Sequence, residues 1–127
     1  MAQRADDLIA AAGGTSDVSL RSALANAMVG IKKRYYGRGP EAAKAYVEDD
    51  YIFVVLEGGL TRNEETLLAD GKEDLVRQYR LAFQETVGPT AIGAVEELTG
   101  RRVVGYHSQV VFAPMRAFEI FVLAPET

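Results

Sequence analysis

Cysteine is absent from this chain of 127 residues, and histidine occurs only once. Without cysteine the chain has no disulfide, no thiolate nucleophile and no zinc–thiolate site. A transition-metal site would then need mostly carboxylates, and no group of them is spaced for that purpose. We therefore expect neither a metal nor a cofactor. The lack of disulfides also favours a reducing, cytoplasmic location.

Long apolar runs are missing as well. The longest, Tyr51 to Leu56, has the length of a strand, whereas a membrane-spanning helix needs roughly 18 or more apolar residues. Residues 1–14 lack the basic and apolar regions of a signal peptide and are interpreted as a flexible or weakly helical lead-in. We expect no direct membrane insertion, so that any work at a membrane would go through a protein partner.

The charge and motif content exclude further classes. The formal net charge of −4 argues against non-specific binding of nucleic acid, which needs a positive surface field. The sequence contains no P-loop, no Gly-x-Ser-x-Gly elbow and no His-Glu-x-x-His motif. The remaining 15–124 segment is predicted to form a single domain without enzymatic activity.

The first helix is predicted to begin after Gly13-Gly14, with N-cap candidates in the next three residues, and to end near Tyr36. Gly37 suits the left-handed position that follows a helix. Lys32 is assigned to the wetter side. The inner stripe is predicted to comprise Leu20, Leu24, Ala27, Met28, Ile31 and Tyr35.

A hairpin is expected next. An alternating strand over 43–48 meets a turn at Asp49-Asp50, and Tyr51 to Leu56 returns with apolar residues on both faces. Two-sided apolarity indicates either a central strand or a face that another subunit covers.

A second helical region then opens on Thr61 and Glu64, which match a capping box. A short helix through Ala69 and a longer one are predicted, with a kink or brief break at Gly88-Pro89. The longer helix is predicted to turn Leu75, Val76, Tyr79, Phe83 and Val87 inward.

Two final strands, over 102–110 and 117–123, complete the order α-β-β-α-β-β, in two successive helix–hairpin units. This pattern predicts an α+β fold with a four-stranded, mainly antiparallel sheet and helices on one face. The other face would carry Tyr and Phe side chains, which suggests a homodimer.

Two groups of residues could carry chemistry. Around Lys32 to Pro40, helix-end chemistry explains nearly every residue, but nothing local requires Arg38, which could bind an anion or form a buried ion pair. His107, Ser108 and Glu119 would meet across the last hairpin. They could form a triad, although a polar cluster on an exposed sheet face or a dimer contact explains them more simply.

Several segments together resemble the MpsC family of small bacterial proteins. They are Tyr36-Gly37-Arg38-Gly39-Pro40, Leu60-Thr61-x-x-Glu64, Val76-x-x-x-Arg80, Glu97-Leu98-Thr99-Gly100 and His107-Ser108. The resemblance covers about residues 20–123 and implies an accessory component of a sodium-translocating, membrane-potential-generating system. It implies no catalytic residues. Gln109 departs from the aspartate expected after His-Ser, which puts a charged ligand at that position in doubt.

The leading hypothesis is thus a non-enzymatic cytoplasmic accessory or regulatory domain that dimerises and binds a protein partner at the membrane. The alternative is a sensor of small anions or nucleotides. The candidate ligand-binding residues are Arg38, Arg80, Arg101, Arg102 and His107.

Overall fold

The computed structural model describes residues 14–126, with side chains from residue 18 onward. Three helices and four strands follow in chain order. They are α1 (Gly14–Tyr36), β1 (Ala42–Glu48), β2 (Tyr51–Glu57), α2 (Arg62–Ala69), α3 (Glu73–Thr99), β3 (Val103–Val111) and β4 (Arg116–Leu123). The predicted α+β class is confirmed, and the second helical region is two helices joined around Gly71.

The four strands form one antiparallel sheet in the order β1-β2-β4-β3. Each hairpin pairs its own strands, and β2 pairs with β4 to join the hairpins. The two-sided apolar strand β2 is therefore central, as one of the two sequence interpretations requires. Asp49, with φ of 54°, and Asp50 make the first hairpin turn as predicted.

Helix α1 ends at Tyr36, and Gly37 follows with φ of 81°, which confirms the predicted end. The predicted N-cap residues 15–17 lie inside the helix, and lead-in residues 1–13 lie outside the described part of the chain. Two side-chain assignments are wrong. Tyr35 is exposed, and Lys32, assigned to the wetter side, is only 9% exposed. Lys32 can be buried because the carboxylate of Glu119, on β4, pairs with it in the protein interior.

Helix α2 begins with the predicted capping box. The Thr61 side chain accepts from the Glu64 backbone N–H, and the Glu64 carboxylate accepts from the Thr61 N–H at 2.9 Å. Two backbone donors at the start of α2 are thereby satisfied.

The inner face of α3 differs from the prediction. Leu75 and Tyr79 are more than half exposed, whereas Arg80 and Gln84 are buried. The buried residues are Val76, Arg80, Gln84, Gly88, Ala91 and Val95. Polar side chains occupy two positions of the inner stripe because the interior supplies them with hydrogen-bond partners.

Pro89 lies inside α3, and the helix continues through it, so the predicted break is absent. A prolyl nitrogen cannot donate to the carbonyl of Glu85, four residues before it. Both residues are exposed, which lets water hydrate that carbonyl. A kink at this point stays a prediction.

The core joins α1 and α3 to the sheet. Helix α1 packs on β1 and β2, and α3 packs on β3 and on α1. Leu24 and Met28 of α1 meet Ile52 and Phe121 of the central strands and Val95 of α3, all almost fully buried. Glu119 lies among these apolar residues at 1% exposure, so the core contains charge.

Candidate functional site

The centre of the candidate site is an ion pair between α1 and β4. Lys32 Nζ lies 2.9 Å from Glu119 Oε2, and both side chains are buried. Glu119 is on the inner side of β4 because it alternates with Ala117 and Phe121, which are also buried. Strand register therefore places a carboxylate under the last turns of α1.

Two further polar residues contact Glu119, and a third contacts one of these two. The hydroxyl of Tyr106 donates to Glu119 Oε1. Ser108, paired with Glu119 in the β3–β4 register, places its Oγ 3.2 Å from Glu119 Oε2 and 2.5 Å from Gln84 Oε1. Lys32, Gln84, Tyr106, Ser108 and Glu119 form what we call the Glu119 network, which ties α1 and α3 to the second hairpin.

Gly88 of α3 makes room for one member of this network. A Cβ at Gly88 would lie 3.1 Å from Tyr106 Cε2, closer than ordinary carbon–carbon contact. The absence of a side chain at Gly88 thus lets the Tyr106 ring lie against α3. The centre of the Tyr106 ring is 5.0 Å from the centre of the Phe121 ring.

A second ion pair lies between α2 and α3. The guanidinium of Arg80 donates from Nε and Nη2 to the two carboxylate oxygens of Glu64, at 2.7 and 2.6 Å. Its Nη2 also donates to the carbonyl of Gly59 at 3.0 Å. This bidentate geometry is the strong form of an arginine–carboxylate pair. Glu64 therefore caps its own helix and anchors α3.

Tyr36 lies between the two ion pairs. The guanidinium of Arg80 is 4.1 Å from the centre of its ring, and Lys32 Nζ is 5.6 Å from it. Both distances fall in the range in which a cation is attracted to an aromatic face. The ring thus gives both cations an attractive partner.

Burial and charge shift the protonation of this region. Burial lowers the pKa of Lys32, and Arg80 lowers it further, while Glu119 opposes the change. Burial alone would raise the pKa of Glu64, but hydrogen bonds from Arg80 and Thr61 bring it below its ordinary value. Burial raises the pKa values of Tyr36 and Tyr106, with Glu119 adding to the effect at Tyr106.

A small pocket opens beside the two ion pairs. Its volume is about 210 Å³, including space open to solvent, and Lys32, Arg38 and Arg80 are the ionisable side chains that line it. The remaining walls are Pro40, Leu56, Gly58, Gly59 and Ala117. We call it the Arg38 pocket. Arg38 is exposed and donates from Nη1 to the Leu60 carbonyl at 2.9 Å, rather than forming the buried ion pair considered above.

The other candidate arginines lie elsewhere. Arg101 donates to Asp50 Oδ1 at 2.6 Å and to the Ala124 carbonyl at 2.7 Å, which ties the first hairpin turn to the segment after β4. Arg102 is exposed beside it. Arg38 is near the opposite end of β1, about 20 Å away at the usual rise per strand residue. The arginines therefore do not form one site.

His107 does not join Ser108 and Glu119. Successive strand residues face opposite sides of a sheet, and His107 pairs in register with Ile120 on the outer side. Ser108 and Glu119 face the interior together. The histidine–serine–glutamate triad is therefore not assembled, and the polar cluster is buried rather than on an exposed sheet face.

Comparison with models of protein families shows which family this chain belongs to. The family model for the Na⁺-translocating membrane potential-generating system (MpsC) matches residues 16–125. The chain belongs to the MpsC family. Comparison with curated proteins gives no match, and comparison with solved structures gives none either.

The MpsC match spans every element that positions the two ion pairs. Within residues 14–126 no helix is long and apolar enough to cross a membrane. The same residues contain no group of three or more His, Asp or Glu side chains placed to hold a metal ion.

Lys32 and Gln84 were not predicted to be members of a buried site, and Arg80 was not paired with Glu64. One signal in the sequence was available for Arg80 and Gln84. Val76, Arg80, Gln84 and Gly88 recur every four residues and so lie along one side of a helix. A polar residue in such a row, flanked by small and apolar ones, indicates a buried partner.

Proposed function

We propose that this chain is a non-enzymatic accessory or regulatory domain of a sodium-translocating, membrane-potential-generating system. Membership of the MpsC family is the observation that carries the proposal, because the family description names such a system. In the proposed arrangement the domain is cytoplasmic and acts on its system through protein contacts.

The outer side of the sheet supports contact with proteins. Tyr46 of β1, Phe53 of β2 and Phe118 of β4 form an aromatic row, with ring centres 6.1 and 5.8 Å apart. Tyr51 is 56% exposed at the end of the same side. The contacts of Lys32 and Gln84 with the sheet go to the opposite side. An aromatic sheet face suits a protein interface.

We propose that this aromatic face is also where the domain forms a homodimer. A contact between two copies of one face is self-complementary and closes at two subunits. Sedimentation should therefore give about twice the 13.8 kDa mass of the chain. Tyr46→Glu, at a half-exposed position, should give the monomer because it places a charge in the interface. Val18→Glu, at an exposed position on α1, should leave the dimer intact.

The function itself is tested in the native host. Membrane vesicles from a strain lacking the gene should build a smaller sodium-dependent potential, read with a voltage-sensitive dye, than vesicles from the complemented strain. Complementation by Tyr46→Glu should fail and by Val18→Glu should succeed. An unchanged potential in the deletion strain would overturn the proposed function, whereas a monomeric wild type would overturn only the dimer.

A further inference from the structure

The two outer strands of the sheet differ in how their free edges are protected. In the strand order β1-β2-β4-β3 these strands are β1 and β3. Strand β1 carries Lys44 and Glu48, and charged residues of this kind keep a sheet edge from pairing with other chains. The nine residues Val103–Val111 of β3 include no lysine, arginine, aspartate or glutamate. The edge of β3 therefore lacks this protection.

The backbone of β3 shows which groups its free edge presents. The N–H of Val110 donates to the side-chain Oε1 of Gln109 at 3.1 Å, so it points away from β4. Successive residues of a strand direct their N–H and C=O groups to opposite sides. The N–H and C=O groups of Tyr106 and Ser108 therefore have the same outward direction as those of Val110.

Strand β4 gives the same result independently. The N–H of Leu123 donates to the carbonyl of Asp50 at 2.7 Å, on the side of β2. Glu119, four residues earlier, has the same direction, so Ser108, its partner in the β3–β4 register, forms no backbone hydrogen bonds with it. Within residues 14–126 the backbone N–H groups of Tyr106 and Ser108 have no acceptor. They are free to pair with an additional strand.

A cleft beside this edge has apolar walls and one carboxylate. Leu81 and Glu85 of α3 line it together with Tyr106 and Ser108 of β3, and it takes in about 530 Å³, including space open to solvent. Leu81 and the Tyr106 ring are apolar, and Glu85 is exposed. A lysine or arginine side chain matches both, because its apolar stem covers the walls while its cationic end reaches the carboxylate.

The cleft lies on the side of α3 that faces away from α1. Phe83 of α3 contacts Tyr36 of α1, with the ring centres 4.6 Å apart. Leu81 and Glu85 are each two residues from Phe83, about 200° around the helix, and so lie on its opposite side. Helix α1 packs on β1 and β2, and α3 packs on β3. The side of α3 that carries the cleft is therefore next to the free edge of β3.

The position of α3 decides between two kinds of occupant. A second copy would pair its own β3 with this one in the antiparallel direction, which places both α3 helices on the same side of the joined sheet. The helices would then lie over adjacent strands about 5 Å apart, whereas packed helices keep their axes about 8–10 Å apart. An extended segment that has no helix over it avoids this clash.

We propose that the free edge of β3 binds an extended segment of a partner protein, which adds a fifth strand to the sheet and places a lysine or arginine side chain in the cleft beside Glu85. Backbone hydrogen bonds to Tyr106 and Ser108 supply affinity, and the cleft selects the side chain. The inference does not rest on the role in a membrane-potential system. It also concerns a separate surface, because the aromatic row lies on β1, β2 and β4.

The first test is amide hydrogen exchange of the full chain, followed by NMR. In the free protein the amides of Tyr106 and Ser108 should exchange at least about tenfold faster than those of His107 and Gln109, which point to β4. Equal protection of all four amides would show that this chain already covers the edge. Protection of Tyr106 and Ser108 that grows with protein concentration would show that a second copy covers it. Either result would overturn the proposal.

The second test uses a capped peptide, Thr-Val-Thr-Lys-Thr-Val-Thr, which as a strand has its valine and lysine side chains on one face. Saturable NMR shifts are expected at residues 81–85 and 105–110, with a dissociation constant on the order of millimolar. Exchange of the Tyr106 and Ser108 amides should slow on binding. The same peptide with glutamate in place of lysine should bind about fivefold more weakly. Absence of saturable binding by the lysine peptide would overturn the proposal.

A charge exchange tests the role of Glu85. Glu85→Lys should reverse the preference, so that the glutamate peptide binds more tightly than the lysine peptide. Glu97→Lys, at another exposed glutamate of α3, is the matched control and should keep the wild-type preference. Circular dichroism checks that both variants are folded. An unchanged preference in Glu85→Lys, or the same change in both variants, would contradict the proposed site.

Discussion

Lys32 and Glu119 lie 87 positions apart in the chain and meet inside the core. Removing two charges from water costs several kcal/mol for each ion, which only close pairing and further hydrogen bonds offset. Glu119 has such help from Tyr106 and Ser108. The pair therefore adds little net stability to the fold. Removing only one of its two charges, however, would be strongly destabilising, because the other would stay buried without a partner.

A double-mutant cycle measures this dependence. Lys32→Met should lower the free energy of unfolding by about 3–5 kcal/mol, since it leaves the Glu119 carboxylate buried without its cation. Lys32→Met combined with Glu119→Gln should recover much of that loss, because no buried charge remains. Urea unfolding followed by circular dichroism gives the four free energies. Simple addition of the single-mutant losses would show that the two residues are not coupled.

At the scale of elements, the sequence predicted what local chemistry decides. The end of α1 at Gly37 and the capping box at Thr61 were confirmed, because each depends on residues within one helical turn. The strands of both hairpins agree within one or two residues. The prediction for the inner face of α3 was wrong in part, because it was based on apolarity alone and therefore favoured Leu75 and Tyr79. The burial of Arg80 depends on Glu64. The helical row indicates that Arg80 has a buried partner, but it does not identify that partner.

The same limit applies to the candidate site. Arg38 and Arg80 were named from the sequence and line one pocket, whereas Arg101 and His107 lie elsewhere. Lys32 was missed because its carboxylate partner comes from a distant strand. Only the register of β3 with β4 decides that Ser108 and Glu119 face inward together and that His107 does not.

Pro89 destabilises the helix in which it lies. Proline in a helix interior costs about 3 kcal/mol through a lost hydrogen bond and a clash with the preceding turn. Pro89 is exposed, so Pro89→Ala removes no packing and should raise the free energy of unfolding by about 1–3 kcal/mol. Thermal and urea unfolding measure the gain.

Thr90→Ala is the control for that prediction. Thr90 is the exposed neighbour of Pro89, and its replacement should raise stability by only about 0.5 kcal/mol through helix propensity. If Pro89→Ala gained no more than this, the helix would already have relieved the strain by bending.

At the scale of the whole molecule, the titrating groups of the interior limit stability on both sides of neutrality. The pKa of Glu64 is below its ordinary 4.5 in the folded protein, so its contribution is complete above that pH and is lost as the pH falls through the folded value. The pKa values of Tyr36 and Tyr106 are raised above 10, so their contribution is lost as the pH rises beyond 10.

The contribution of Glu64 to the acid side of this profile can be tested. Glu64→Gln should lower stability at pH 7, because it leaves Arg80 buried without a carboxylate, and should flatten the loss of stability between pH 7 and pH 3. Glu65→Gln, its exposed neighbour, should leave the profile as in the wild type. Urea unfolding at a series of pH values measures both. Parallel profiles for wild type and Glu64→Gln would place the acid-sensitive group elsewhere.

The strand order has a consequence for how the protein is made. On the ribosome, α1 and the first hairpin emerge before β4 is translated, although β4 pairs with β2 and supplies Glu119 to Lys32. During that interval Lys32 has no carboxylate beside it, and β2 exposes an unpaired edge that a neighbouring chain could join. The arrival of β4 ends both conditions at once. Slow translation between the two hairpins would therefore prolong the period in which nascent chains can pair wrongly with each other.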